Sequence, residues 1–311
     1  SPLNGFIDQD TLDSVLRTNC LPDGTVWTMP MILQISLKDK SSISCGDRIA
    51  LQNKEGEVYA FIDVKEIFKL NLEYVSKHWF STLSKNHIGL AQFLSKGEYC
   101  IAGNITMFRL PSISYKSYYL NPKQTRSLFN HKGWSKVICF PTQDFANRAH
   151  EYVQQKFLKE YFADGLYINP VIGSNSSGSV HPNFILDSYQ ACIDKSIYQY
   201  KNLLLGGFFS YPRYCGYREI IFSMICKKNI GCSHIIFDKK NILGSGTYDS
   251  EKYFEISEDI DIKPIYFDKI GYLEKENRWV NYKNDKNIIL FSRNNIRKLI
   301  QNGEKLPSWY I

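Results

Sequence analysis

The segment Val137-Ile-Cys-Phe-Pro-Thr-Gln-Asp-Phe-Ala-Asn-Arg-Ala-His150 predicts a buried strand, a turn and the start of a helix. Its first four residues are an apolar run, and apolar residues then recur at helical spacing from Ala149 to Phe162. Downstream, the same patterns predict strands over 164–173, 202–205 and 234–237 and helices over 184–193 and 218–227. This alternation predicts an α/β domain with a mostly parallel sheet, helices on both faces and ligands beyond the carboxyl ends of the strands.

The chain on either side of this domain has a different pattern. Before residue 120, strands are predicted over 31–37, 48–52 and 58–64, with few helices (9–16 and 125–130). Short strands separated by turn residues are typical of a compact barrel or sandwich. After residue 249 the pattern is irregular, with a strand over 287–291 and a helix over 294–301, and Gly303 stands where a C-terminal cap belongs. The predicted domains are therefore 1–125, 126–250 and 251–311, and we expect further residues upstream of Ser1.

Composition excludes several classes of protein. The 311 residues carry a net charge of +7, with 43% hydrophobic and 22% charged residues, so a folded core is expected. No apolar run approaches the roughly 18 residues of a membrane span, and no basic run points to nucleic acid. The eight cysteines form no Cys-x-x-Cys pair, which predicts reduced thiols in a cytoplasmic protein and no metal site.

The turn before the predicted helix at Ala149 is the strongest candidate site. A helix N-terminus offers free N–H donors and partial positive charge, which suit a phosphate. Asn147 and His150 are three residues apart and would share one helix face. The alternative is an ordinary loop and cap in which His150 makes a structural hydrogen bond. Spacing alone leaves both interpretations open.

Several short motifs carry a resemblance that runs along nearly the whole chain. They are Ser1-Pro-Leu-Asn-Gly-Phe6, Leu21-Pro-Asp-Gly-Thr-Val-Trp-Thr-Met-Pro30, His87-Ile-Gly89, Arg213-Tyr-Cys-Gly-Tyr-Arg-Glu219 and Lys228-Asn-Ile-Gly-Cys-Ser-His234. In this order they resemble motifs of the ATP sulfurylase (sulfate adenylyltransferase) family. The resemblance implies a β-rich PUA-like N-terminal domain, then an α/β, Rossmann-like nucleotidyltransferase domain and a small C-terminal part. It also implies transfer of the adenylyl group of ATP to sulfate with release of pyrophosphate, and self-association.

The catalytic motif departs from the family pattern, which is Gln-Thr-Arg-Asn-Pro-x-His-Arg-Ala-His. The replacements here are Pro141, Gln143, Asp144, Phe145 and Asn147. Thr142, Arg148, Ala149 and His150 are kept. A second family motif, Gly-Arg-Asp-His, is replaced by Asp238-Lys-Lys-Asn241.

These replacements change the charge expected at the site. Gln143 stands where the family has the arginine that holds sulfate, and Asp144 adds a carboxylate. Two like charges about 4 Å apart repel by roughly 4 kcal/mol at an effective dielectric constant near 20. Lys239 and Lys240 would restore positive charge, but lysine lacks the bidentate fork of arginine. Sulfate is therefore not the expected acceptor.

The resemblance and the charges together assign the site residues. We predict catalytic roles for His150, Asn147 and Lys239. We predict nucleotide binding by Thr142, Asn147, His150 and Lys240, and acceptor binding by Gln143, Asp144 and Arg213. ATP is the expected substrate, with Mg²⁺ beside its phosphates.

Three functions remain open at this point. The first is nucleotidyl transfer to an acceptor other than sulfate, neutral or cationic, since Asp144 would attract a positive group. The second is a catalytically silent relative retained as a binding or scaffold protein. The third is a working sulfate adenylyltransferase with an unusual site.

Overall fold

The computed structural model describes residues 2–53, 55–109, 115–173, 181–195, 202–239, 259–282, 286–290 and 292–310, with the backbone alone at 293–294. The chain divides into two compact units. The first comprises residues 1–113, 212–223 and 247–260, and the second comprises 114–211, 224–246 and 261–311. The domain boundaries at 125 and 250 stay a prediction.

An antiparallel sheet forms the frame of the first unit. The strand β5 pairs with β1, β2 and β4, and β4 also pairs with β3. The predicted strands over 48–52 and 58–64 are confirmed, and the second is longer than predicted. The bounds are β1 Gly5–Phe6, β2 Leu33–Ile35, β3 Arg48–Gln52, β4 Val58–Lys69 and β5 Tyr99–Met107.

The first unit is richer in helices than its sequence predicts. The helix predicted over 9–16 is α1, and its N-cap Asp8 accepts a hydrogen bond from the Thr11 amide at 2.9 Å. Two unpredicted helices, α3 and α4, bury Trp79, Phe80 and Phe93 in the core. Their buried residues follow helical spacing, but segments of nine and seven residues are too short to show a clear amphipathic period in the sequence. The bounds are α1 Gln9–Thr18, α2 Leu37–Lys40, α3 Leu72–Phe80 and α4 Ile88–Leu94.

A five-stranded parallel sheet forms the frame of the second unit, in the order β10-β9-β6-β7-β8. The predicted alternation of strand and helix is confirmed. The helix α8 starts within the first unit and ends within the second. The bounds are α5 Pro122–His131, β6 Val137–Thr142, α6 Arg148–Glu160, β7 Gly165–Pro170, α7 Pro182–Asp194, β8 Leu203–Leu205, α8 Tyr217–Ile230, β9 His234–Asp238 and β10 Lys263–Phe267.

Burial explains why β6 lies in the middle of this sheet. Ile138 and Phe140 of β6 pack in one apolar cluster with Leu166 and Ile168 of β7 and with side chains of α6 and α7. A strand that is covered in this way is uniformly apolar, which is why its sequence was recognisable. The strand β10 was not predicted, because Pro264 and its polar and aromatic flanks hide its apolar character.

The C-terminal part of the second unit is a small antiparallel sheet followed by a helix. The strand β11 (Ile270–Leu273) lies between β12 (Arg278–Asn281) and β13 (Ile288–Leu290). The helix α9 (Arg293–Gln301) ends at Asn302, and Gly303 follows with φ of 69°, which confirms the predicted cap. None of the helices in the described residues has the length and apolar character needed to cross a membrane.

Candidate functional site

The candidate site lies where β6 ends and α6 begins. The chain continues from β6 into β7 on one side, whereas β9, which comes later in the chain, pairs with β6 on the other side. The direction of the connections therefore reverses at β6, and ligands bind at such a position beyond the carboxyl ends of parallel strands. Its residues Thr142, Asp144, Asn147 and His150 are all buried.

The turn between β6 and α6 is held by its own short side chains. The Thr142 hydroxyl accepts a hydrogen bond from the Asp144 amide at 3.1 Å. Asn147 is the N-cap of α6, and its Oδ1 accepts a hydrogen bond from the His150 amide at 2.9 Å. Its Nδ2 donates to the Phe145 carbonyl at 2.8 Å and lies 3.1 Å from His150 Nδ1. All polar atoms of the Asn147 side chain are thus used within the turn.

His150 is a buried histidine with a defined tautomer. Only 4% of its surface is exposed, and its ring packs edge-on against Phe140 with centroids 5.1 Å apart. Because Asn147 Nδ2 can only donate, His150 Nδ1 is the acceptor, and it also lies 3.2 Å from the Tyr189 hydroxyl. The neutral ring therefore carries its proton on Nε2, so this nitrogen is the hydrogen-bond donor.

Asp144 is neutralised by an arginine from the C-terminal helix. Arg297 on α9 places Nη2 at 3.2 Å from Asp144 Oδ1, and 9% of the Asp144 side chain is exposed. The charge balance expected from the sequence, in which Lys239 and Lys240 oppose Asp144, does not include this pair. Arg297 is not among the predicted site residues, and a pairing across 153 residues leaves no local signal.

The other predicted site residues are placed as follows. Gln143 is exposed on the same turn, and Lys239, just after β9, forms an ion pair with Asp268 at 3.1 Å. Lys240 lies outside the described residues. Arg213 belongs to the first unit, where its guanidinium lies 5.8 Å from the centre of the Phe222 ring. The roles assigned to these residues stay predictions.

The parallel sheet, with a strand–turn–helix where its connections change direction, places the second unit in the class of α/β domains that bind ligands at this position. The PUA-like domain family matches residues 1–110 of this chain, and the ATP-sulfurylase family matches residues 116–311. The chain therefore belongs to the ATP sulfurylase family, and the resemblance seen in its motifs is confirmed.

Individual relatives agree with this assignment. A sulfate adenylyltransferase of Pyrococcus abyssi (strain GE5 / Orsay) is 32% identical over 317 residues, 99% of this chain and 82% of the relative. One from Halothermothrix orenii (strain H 168 / OCM 544 / DSM 9562) is 30% identical over 319 residues, again 99% and 82%. The solved structure of a hexameric APS kinase from Thiobacillus denitrificans has a TM-score of 0.76 at 21% identity. The match covers 100% of this chain and 56% of the APS kinase chain, and it supports the fold alone.

Proposed function

We propose that this protein transfers the adenylyl group of ATP to an acceptor other than sulfate and releases pyrophosphate. The observation that carries the proposal is that two cationic side chains of the second unit are already in ion pairs with carboxylates. Arg297 pairs with Asp144, and Lys239 pairs with Asp268. Gln143, in place of the family arginine, adds no charge. A sulfate dianion is held by charge-assisted hydrogen bonds from cations, and these two are already engaged. Because Arg297 cancels the charge of Asp144, a neutral acceptor with a nucleophilic oxygen suits the site better than a cationic one.

The transfer is a displacement at the α-phosphorus of ATP. The acceptor hydroxyl oxygen forms a bond to this phosphorus and releases its proton to solvent, the bond to the bridging oxygen of the β-phosphate breaks, and pyrophosphate leaves with that oxygen. The amides of Arg148 and His150 already donate to the Tyr310 carbonyl and to Asn147 Oδ1. The Nε2 proton of His150 and the Ala149 amide are the donors that would stabilise charge on the phosphate oxygens. Thr142 would hold the turn so that these donors converge.

Magnesium would enter this site on the phosphates of ATP. The described residues contain no group of three His, Cys, Asp or Glu side chains that could hold a metal ion. Asp144, the carboxylate of the turn, is engaged by Arg297. Magnesium commonly binds with few protein ligands plus substrate phosphates, so the residues fit an ion carried by the nucleotide. It would neutralise charge on the leaving pyrophosphate.

A second candidate function is binding without catalysis. It is favoured by the burial of His150 and by the complete use of Asn147 within the turn, since a nucleotide phosphate would have to displace one of these hydrogen bonds. A silent relative would keep the fold and bind a partner or a nucleotide without turnover. The third candidate function is transfer to sulfate. It is also tested, because the relatives are named sulfate adenylyltransferases.

The test begins with calorimetric titration of MgATP into the wild-type protein and into His150→Ala. The matched control is His131→Ala, because His131 is exposed at the end of α5. We expect binding in the wild type and the control and at least tenfold weaker binding in His150→Ala. Pyrophosphate release is then measured with sulfate and with a panel of hydroxyl, carboxylate and amine acceptors.

Each result selects one function. Pyrophosphate release with a member of the panel but not with sulfate supports the proposal. Synthesis of ATP from adenylyl sulfate and pyrophosphate would overturn it in favour of sulfate. Nucleotide binding without turnover on any acceptor would favour the silent relative, and unaltered activity in His150→Ala would show that the assigned site is wrong.

Two further properties stay proposals. Self-association is supported by the name of the similar APS kinase, which is hexameric, and light scattering of the purified protein would measure it. A cytoplasmic location is supported by the eight cysteines, all of which are free thiols.

A further inference from the structure

The second unit contains a pocket of about 540 Å³ on the side of α6 that faces away from the buried ring of His150. It lies between α6, the β11–β12 hairpin and the residues that follow α9. This volume is within the range of small-molecule sites. The lining residues that carry the argument are Arg148, Glu151, Tyr152, Arg278, Trp279 and Trp309.

An interlocked group of aromatic rings forms one wall of the pocket. Trp309 stacks on Tyr272, with centroids 5.6 Å apart and planes 21° apart. Trp279 meets Tyr272 and Trp309 nearly edge-on, each at 5.6 Å. Each ring therefore restricts the others, and each indole offers its own fixed face to a planar ligand, because the planes of Trp279 and Trp309 are 73° apart. Stacking on such a surface tolerates any heterocycle, because every base has a π-face.

The polar groups of the pocket are of two kinds. The Glu151 carboxylate is half-buried and accepts a hydrogen bond from Gln155 Nε2 at 2.8 Å. Burial raises its pKa, and the charge of Arg148 opposes this shift. Arg148 and Arg278 are exposed at the pocket, and Arg278 forms an ion pair with Glu276 through Nε. A guanidinium has five N–H donors, so its two terminal nitrogens remain to meet the oxygens of a phosphate. A carboxylate accepts the N–H groups of a heterocycle, so the two kinds suit different ends of one ligand.

We propose that this pocket is a second ligand site that binds a nucleoside phosphate. The base would stack on one indole face of the wall, and Glu151 would accept its N–H groups. Arg148 and Arg278 would hold the phosphate. This site does not depend on the proposed transfer reaction.

The test uses tryptophan fluorescence, because two of the five tryptophans line the pocket. AMP is titrated into the full chain, with adenosine and inorganic phosphate as partial probes. We expect saturable quenching by AMP, with at least tenfold weaker binding of either partial probe. Because His150→Ala alters the first site, the quenching must persist in that variant to be assigned to the pocket.

Variants of the lining test the assignment of each group. Arg148→Gln with Arg278→Gln should raise the Kd of AMP at least tenfold, and Glu151→Gln should raise it severalfold. Lys159→Gln, exposed on the same helix, is the matched control and should leave the Kd unchanged. Trp279→Phe keeps a stacking ring and should reduce the signal with little change in Kd.

Three results would overturn the proposal. The first is the absence of quenching at millimolar AMP. The second is an unchanged Kd in the double arginine variant, and the third is quenching lost in His150→Ala but kept in the pocket variants. Circular dichroism of each variant shows that it is folded before its binding is compared.

Discussion

Arg297 and Asp144 form an ion pair that joins the last described helix to the turn after the central strand, with Nη2 and Oδ1 3.2 Å apart. The carboxylate side of the pair is buried, and the guanidinium side is 42% exposed. The pair therefore links two parts of the second unit that are 153 residues apart in the chain. It also means that the carboxylate introduced at the turn comes with its own counter-charge.

Removal of the arginine alone should destabilise the protein. Arg297→Gln leaves the Asp144 carboxylate buried without this partner, and we expect a loss of about 1–3 kcal/mol. Asp144→Asn with Arg297→Gln should lose less than the sum of the two single changes, because the pair is then removed together. Urea unfolding of the four proteins at pH 7 measures this coupling. Strictly additive losses would show that the pair contributes nothing to stability.

Asp144→Asn should increase the affinity for sulfate without any change at Gln143. The substitution releases Arg297 from its carboxylate partner, so the guanidinium can meet an oxyanion. We expect at least a tenfold lower Kd for sulfate by calorimetry, and a further decrease when Gln143→Arg is added. Asp187→Asn, an exposed carboxylate on α7, is the matched control. Equal sulfate affinity in Asp144→Asn and the control would contradict the charge argument for the acceptor.

The stability of the protein should rise with pH through the titration of Lys227. This amine is buried, donates to no hydrogen-bond partner among the described residues, and lies 3.1 Å from the centre of the Phe208 ring. Burial lowers its pKa below the ordinary value of 10.5. Between the lowered pKa and 10.5, the unfolded chain binds a proton that the folded chain lacks, so stability increases with pH there.

Lys227→Met tests this assignment. The variant should be more stable than the wild type near neutral pH, by about 1–3 kcal/mol, because no amine has to be buried. It should also lose the rise of stability toward pH 10. Lys123→Met, an exposed lysine on α5, should keep the rise. Parallel pH profiles for the wild type and Lys227→Met would show that the amine does not titrate differently on folding.

Arg218→Lys should destabilise the first unit, although the charge is kept. The buried guanidinium donates to the carbonyls of Leu16 at 2.7 Å, Val15 at 2.9 Å and His78 at 3.1 Å. A lysine ammonium is a single point and cannot reach these separate acceptors together. We expect a loss of about 3 kcal/mol, measured as a lower Tm, because buried carbonyls are left unpaired. Arg17→Lys, exposed on α1, should leave the Tm unchanged.

Local hydrophobic patterns in the sequence were sufficient to predict the strands that are uniformly apolar and the helices that are regularly amphipathic. β6 and α6 were predicted with small errors at their ends, because the strand is covered and the helix has one buried face. β10 was missed, since a strand with Pro264 and polar flanks has no clear period. α3 and α4 were missed because they are only nine and seven residues long, too short for their buried positions to show a clear helical period.

The candidate site was predictable only in its position. The strand–turn–helix pattern pointed to Asn147 and His150 and the family resemblance to Thr142, and the structure places all three in one buried turn. Its electrostatics depended on Arg297, which arrives from a distant helix, so the sequence-based charge balance was incomplete. The aromatic pocket likewise combines α6 with residues that follow it by more than a hundred positions and has no sequence motif of its own.

Residues 212–223 belong to the first unit, although residues 114–211 of the second unit precede them in the chain. This order has a consequence for biosynthesis. The residues of α1 and α3 whose carbonyls accept hydrogen bonds from Arg218 are translated long before Arg218 itself. At typical elongation rates of about 5–20 residues per second, the nascent first unit waits for several seconds without its buried guanidinium. The first unit therefore cannot complete its buried hydrogen bonds in the order of synthesis, and it acquires them only after Arg218 has emerged.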